Sequence, residues 1–150
     1  MSNITNQTYC KRSQTLGVNM YSFSAKSKAK LDTCHPDIRK ICNELIKVMD
    51  VTVIEGVRTR ETQEEYVRTG KSKTMNSKHL PQADGLSHAV DLAPYPIDWN
   101  NMNRFYYMQG LIKGIASQLG IKVRLGVDWD GDGETKDHSF IDGPHFELAD

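Results

Sequence analysis

The sequence predicts an α+β fold: a small antiparallel sheet packed with about three helices, in a single domain. Three observations predict it. The chain has 150 residues, the size of one domain with one core. Its apolar residues alternate between helical spacing and short β-branched runs, in mixed order along the chain. The connections between these segments are loops and hairpin-like turns, which outnumber regular strand–helix–strand units and so favour antiparallel pairing.

Each element has its own signal. Residues 1–19 are polar and aperiodic and are expected to form a flexible tail, with the domain occupying 20–150. In "DTCHPDIRKICNELIKVM", Pro36 suits the first turn of a helix, and Ile38, Ile41, Cys42, Leu45, Ile46 and Met49 recur as one apolar stripe. Cys34, His35 and Cys42 read there as core and cap. "VTVIEGV" reads as a buried strand. "TRETQEEYVRTG" reads as a short helix with Thr59 as N-cap and Gly70 as its stop. After a loop, "HAVDLAP" is a strand closed by Pro94. The longest helix is "NNMNRFYYMQGLIKGIASQLG", capped by Asn100 or Asn101 and ended by Gly120, with Phe105, Met108, Ile112, Ile115 and Leu119 as its expected buried face. "IKVRLGV" and "PHFELA" are the last two strands, and the acidic loop "DWDGDGETKDHSFIDG" lies between them.

Composition excludes several classes. With 19 basic and 19 acidic residues the formal net charge is zero, which gives no support for a nucleic-acid partner. No apolar run approaches the roughly 18 residues that span a bilayer, so no membrane insertion is expected. The N-terminus lacks the apolar segment of a signal peptide, which predicts a cytoplasmic start. Three cysteines, Cys10, Cys34 and Cys42, form no paired framework and read as free thiols.

The groups that carry chemistry cluster late in the chain: His79, Asp84, His88, Asp91, His138, Asp142 and His145. A catalytic metal site takes three such ligands and leaves a position open. On an extended "SHAVDLAP" the side chains alternate, so His88 and Asp91 point to opposite faces and should not share one ion. Small Ser87, Ala89 and Ala93 flank Asp91 and leave room on its face. On the last strand His145 and Glu147 share a face, and Phe146 and Leu148 fill the other. His35 and His138 read as structural. In the acidic loop, Asp128, Asp130 and Asp132 stand at positions 1, 3 and 5 of a calcium-loop pattern with Gly133 at position 6; position 12 is Ser139, and Asp137 is the nearest carboxylate that could substitute. The expectation is a regulatory calcium ion held by Asp128, Asp130, Asp132 and Asp137.

"SKH", "SHAVDLAP" and "DGPHFEL" together resemble the zinc peptidases that include VanY-like D,D-carboxypeptidases, D-Ala-D-Ala dipeptidases and phage endolysins cleaving L-alanyl-D-glutamate bonds. The family pattern is Ser-x-His, then Gly-x-Ala-x-Asp, then an acid-x-x-His on a strand, and the resemblance covers residues 21 to 149. It implies the hedgehog/D-Ala-D-Ala-peptidase-like fold, zinc ligands at His79, Asp91 and His145, a catalytic carboxylate at Asp142 and, through "GVRTRETQ", a functional arginine at Arg58. Glu147 is expected to orient an imidazole. Two departures stand out: about five extra residues, "LPQAD" or its neighbours, between the first histidine and the aspartate, and Ser87 at the usual glycine. The implied function is a zinc metallopeptidase cutting the L-alanyl-D-glutamate bond of peptidoglycan stem peptides, as a monomeric phage endolysin that stays in the host cytoplasm until a holin releases it to the periplasm and wall. The alternatives are a D-alanyl-D-alanine carboxypeptidase and, in another class, a non-catalytic zinc- or calcium-binding interaction module.

Overall fold

A computed structural model describes residues 21–150. The expectation for residues 1–19, and Cys10 with it, lies outside these residues. The elements run α1 (Ala25–Leu31), α2 (Pro36–Leu45), β1 (Val51–Glu55), α3 (Arg60–Arg68), β2 (Ala89–Pro94), α4 (Met102–Leu119), β3 (Val123–Leu125) and β4 (His145–Leu148). The four strands form one sheet in the order β1-β2-β4-β3, and every pairing is antiparallel. The α+β class therefore holds, with a fourth helix added. This is α1, in "AKSKAKL", a segment whose apolar content is too low to signal a helix by period. Ser24 caps it by accepting the N–H of Ser27, and it packs against β1.

Local signals placed the other helix ends. His35 is the N-cap of α2, its Nδ1 accepting the N–H of Asp37 at 3.0 Å, with Pro36 next in the first turn. Thr59 caps α3 through the N–H of Thr62. Gly120 ends α4 in the left-handed conformation with φ 69°. Asn101 occupies the N-cap position of α4 without a side-chain cap bond.

The core lies between the helices and one face of the sheet. Val90 pairs with Phe146, which pairs with Leu125, and these meet Phe105, Met108 and Ile112 of α4 and the Ile38, Ile41 and Leu45 stripe of α2. The buried face of α4 differs from the expected one. It is Phe105, Met108, Gln109, Ile112 and Ala116, while Ile115 is only partly buried and Leu119 is exposed. The expected set followed a strict heptad; a straight helix drifts about 20° per heptad from that repeat, so the stripe rotates towards Gln109 and Ala116. Cys34 and Cys42 are free and buried.

The opposite row of the sheet positions the site. Asp91 on β2 stands directly across from His145 on β4 and, past an irregularity in β1, from Glu55. Residues paired across antiparallel strands project to the same face. Three chemically active side chains thus line up across three strands.

Candidate metal centre

His79 comes to this row from the loop before β2. Its carbonyl accepts the N–H of Arg58 at 2.8 Å, and its own N–H donates to Ser77 Oγ at 3.2 Å. The ring then lies against β2 and β4. His79 Nε2 is 3.2 Å from Asp91 Oδ1 and 3.3 Å from His145 Nδ1, and His145 Nδ1 is 3.0 Å from the same Asp91 oxygen. Both imidazoles are buried.

The far nitrogens decide what these contacts mean. His79 Nδ1 lies 2.8 Å from the carbonyl of Gly56, which can only accept, so the ring proton sits there and Nε2 presents a lone pair to the cluster. His145 Nε2 lies 3.0 Å from Glu147 Oε2, so its proton is drawn to that side and Nδ1 presents the second lone pair. With the Asp91 carboxylate, three electron-pair donors converge and none needs to carry a proton between them. Ligands on a tetrahedral zinc with bonds of about 2.1 Å stand about 3.4 Å apart, and the edges of 3.0, 3.2 and 3.3 Å found here come close to that size. The donor set of two imidazoles and one carboxylate also suits zinc. The residues present therefore fit the metal that the resemblance implies.

Without an ion, protons would fill the gap. Burial opposes a charge on His145, yet its hydrogen bonds to Asp91 and Glu147 outweigh that and push the imidazole up to about 9. Burial likewise raises the Asp91 carboxyl, but hydrogen bonds from His145 and His79 hold it well below the usual carboxylate range. The centre is built to hold positive charge beside Asp91.

Asp142, three residues before His145, is set apart from the triad. Burial raises its pKa, and the negative charge of Asp91 adds to this, against the opposing pull of His145, His79 and Arg58. A carboxylate with a raised pKa that feels the charges of Asp91, His145 and His79 has the property a general base requires. Its backbone is fixed: the Asp142 N–H donates to Gly126 at 2.8 Å, and the Gly126 N–H donates to the carbonyl of His145 at 2.8 Å. A Cβ on Gly126 would run into the Asp142 carbonyl, so no other residue fits there without moving Asp142.

Arg58 stands at the border of the cluster but is tied down. Nε and Nη2 hold both oxygens of Glu55 at 2.9 and 2.6 Å, Nη1 donates to Gln63 Oε1 at 2.7 Å, and the guanidinium lies 4.7 Å over the Tyr66 ring. Gln63 in turn donates to Ser72 and to the carbonyl of Thr74, so the Arg-x-x-x-x-Gln spacing becomes a bracket for the 72–74 loop. Arg58 is thus a rigid cation, with most of its donors engaged.

His88 joins a different group. Its Nε2 pairs with Asp84 at 2.8 Å and its ring meets His35, away from Asp91, as the alternation of faces predicts. The acidic loop divides in two. Asp130, Asp132 and Asp137 come together, all exposed, while Asp128 turns inward and meets Asp130 and His138. Asp128 accepts the N–H groups of Gly131 and Gly133 at 3.0 Å each and the Lys113 ammonium at 3.3 Å. The four aspartates expected around one ion do not form a single cage. His138, read as structural, has its Nε2 3.4 to 3.8 Å from the carboxylates of Asp137, Asp130 and Asp128.

Two residues packed beside the cluster escaped the sequence. Gln109 is fully buried on α4 and donates to the carbonyls of Gly143 and His145 at 2.7 and 2.9 Å, pinning the turn between Asp142 and His145. Its position on the apolar face of α4 was its only signal. Trp129 lies 5.5 Å from the His145 ring and stacks on exposed Phe140, forming an apolar wall beside the centre. Nothing in "VDWDG" distinguishes that tryptophan from a loop anchor.

Comparison with known proteins fits this geometry. The model of the phage L-alanyl-D-glutamate peptidase family matches residues 10–149. The chain is 30% identical to the L-alanyl-D-glutamate peptidase of Escherichia phage T5 over 140 residues, covering 86% of this chain and 98% of that one. It is 28% identical to the L-alanyl-D-glutamate peptidase of Listeria phage A118 over 103 residues, which are 67% of this chain but 31% of that longer protein. The crystal structure of the Serratia marcescens L-Ala D-Glu endopeptidase ChiX superposes with a TM-score of 0.69 at 28% identity, covering 90% of this chain and 96% of that one. A family match over nearly the whole chain, on a fold that brings the expected ligands together, places this chain in the phage L-alanyl-D-glutamate peptidase family.

Proposed function

We propose that this chain is a zinc-dependent peptidoglycan peptidase that hydrolyses the L-alanyl-D-glutamate bond of stem peptides and serves as a phage endolysin. The observation that carries the zinc reading is the convergence of the His79, Asp91 and His145 lone pairs, with both ring protons held away by Gly56 and Glu147. The bond cleaved is the one named for the relatives in phages T5 and A118 and for ChiX.

When bound there, zinc supplies a Lewis acid that polarises a carbonyl and makes water acidic enough to attack near neutral pH. The chain's own groups do the rest. Asp142 accepts the proton of the attacking water and delivers it to the departing amine of the D-glutamyl residue, a role its raised pKa serves. Arg58, locked by Glu55 and Gln63, provides fixed positive charge for the carbonyl oxygen or for a substrate carboxylate. The Trp129–Phe140 wall shields one side of His145 from water. A non-catalytic zinc module has no use for a partly buried carboxylate of raised pKa coupled to the ligands, and Asp142 weighs against that alternative. The test is mass spectrometry of digested peptidoglycan: new L-alanine C-termini and D-glutamate N-termini are expected, whereas release of terminal D-alanine alone would assign the D,D-carboxypeptidase activity.

Zinc aside, the reading includes calcium. The spacing of Asp128, Asp130 and Asp132, and the meeting of Asp130, Asp132 and Asp137, support an ion that orders the loop leading to Asp142 and His145. Lysis by zinc-loaded enzyme should rise with added calcium and fall in Asp130→Ala; equal lysis with calcium and with a calcium-specific chelator overturns this regulation. Among the described residues no helix is long and apolar enough to cross a membrane. We further propose, from the family resemblance, that the chain acts as a monomer and reaches the wall through a holin.

A further inference from the structure

We propose that His35, Asp84 and His88 form a second divalent-metal site, for zinc or a similar transition ion, that clips the loop between His79 and Asp91 to the turn before α2. A ligand atom from each of the three lies within 4.8 Å of the others. The rings of His35 and His88 stand 4.8 Å apart at 70°, close to the 5.2 Å and 61° of His79 and His145. Asp84 Oδ2 faces His88 Nε2 at 2.8 Å, and Asp84 Oδ1 is held by the Leu86 N–H at 3.0 Å, which fixes the carboxylate in its turn.

The three donors come from three places that the backbone already aligns. His35 begins α2, and its N–H donates to the Ser87 carbonyl at 2.9 Å; the Ser87 N–H donates to the Thr33 carbonyl at 2.9 Å. Asp84 sits on the turn closed by Gln82 and Leu86, and His88 immediately precedes β2. Two imidazoles and one carboxylate favour zinc, copper or nickel over calcium or magnesium, which prefer all-oxygen shells. All three side chains are partly exposed, so an ion can enter and keep water ligands.

The site has one built-in competitor. His35 Nδ1 accepts the Asp37 N–H, which leaves the ring proton on Nε2. An ion on Nε2 moves that proton to Nδ1, where the Asp37 carboxylate, 4.0 Å away, becomes its acceptor. Asp37 would then serve His35 as Glu147 serves His145. Because the helix cap is given up, this site binds more weakly than the first. The resemblance puts about five extra residues, "LPQAD" or its neighbours, between His79 and Asp91; Asp84 falls in or beside them, so a metal there would brace the segment that presents His79.

The test is zinc stoichiometry, read by native mass spectrometry on full-length protein stripped by chelator. Zinc is titrated in millimolar calcium, so that carboxylate-only sites are filled. Two zinc ions are expected in the unaltered chain, one in the Asp84→Asn/His88→Gln variant and one in His79→Ala. The second equivalent should raise the melting temperature of the unaltered chain but not of the double variant, which keeps its lytic activity. His35 is left in place to preserve the α2 cap. One zinc in the unaltered chain, lost in His79→Ala, overturns this proposal and leaves the proposed function standing. Two zinc ions retained by the double variant overturn it as well. Loss of one zinc in the double variant with none lost in His79→Ala upholds this site and removes the first.

Discussion

The chain carries two clusters of two histidines and one aspartate, on either side of the start of β2, with similar ring spacing. They differ in what holds the imidazole protons. In the His79–Asp91–His145 cluster, Gly56 and Glu147 draw both protons outward, and every lone pair points at one spot. In the His35–Asp84–His88 cluster, the Nδ1 lone pair of His35 is engaged in capping a helix. Burial differs in the same sense: His79 and His145 are buried, while the second cluster is open to solvent. Ligand identity is thus equal in the two, and the acceptors behind the ligands separate a preorganised centre from a site that must rearrange.

The largest test of this contrast is to remove ligands from each. His79→Ala and Asp91→Ala should each abolish lysis and lose the tightly held zinc, whereas His88→Ala should keep both. Zinc analysis and turbidity loss of chloroform-treated Gram-negative cells measure this. A His88→Ala enzyme without lysis, beside an active His79→Ala enzyme, would exchange the roles of the two clusters.

Next in size is separation of binding from catalysis within the first cluster. Asp142→Asn should retain zinc and fold while turnover falls by at least about 10²-fold. An unchanged rate would remove Asp142 as the base.

The claim about outer acceptors is sharpened by Glu147→Gln. The amide cannot draw the His145 proton as a carboxylate does, and zinc affinity should fall by about 10- to 100-fold. Asp37→Asn should leave that tight affinity unchanged and weaken only the second equivalent. Competition with a chromophoric chelator reads both.

The smallest effect expected is on stability. Gln109→Leu leaves the Gly143 carbonyl without its donor in a buried setting, and the His145 carbonyl with the Gly126 N–H alone, a loss of about 1–3 kcal/mol. Denaturant unfolding of the zinc-free chain measures it, and no loss would show that these carbonyls find another partner.

Much of this contrast was legible beforehand. Alternation along "SHAVD" separates His88 from Asp91 because strand side chains change face at every residue, and the structure keeps them apart. The pairing of His145 with Glu147 follows from the same period. Helix ends at Thr59 and Gly120 were readable because caps are local chemistry. Helix α1 was not, since its stability comes from β1 beneath it rather than from its own apolar period. Nor could sequence show that Asp128 turns inward to meet Lys113 of α4 and the Gly131 and Gly133 N–H groups while Asp130, Asp132 and Asp137 stay exposed.

By itself, then, the sequence determined the antiparallel α+β class, the caps, and which faces of β2 and β4 carry Asp91 and His145, because each depends on spacing within a few residues. Only the tertiary structure decided that Asp91 stands across from His145, that a glycine carbonyl 23 residues away orients His79, and that His35 meets Asp84 and His88. Those facts rest on the register between strands and on loops closing over long separations, where the position of one partner carries no local trace in the other.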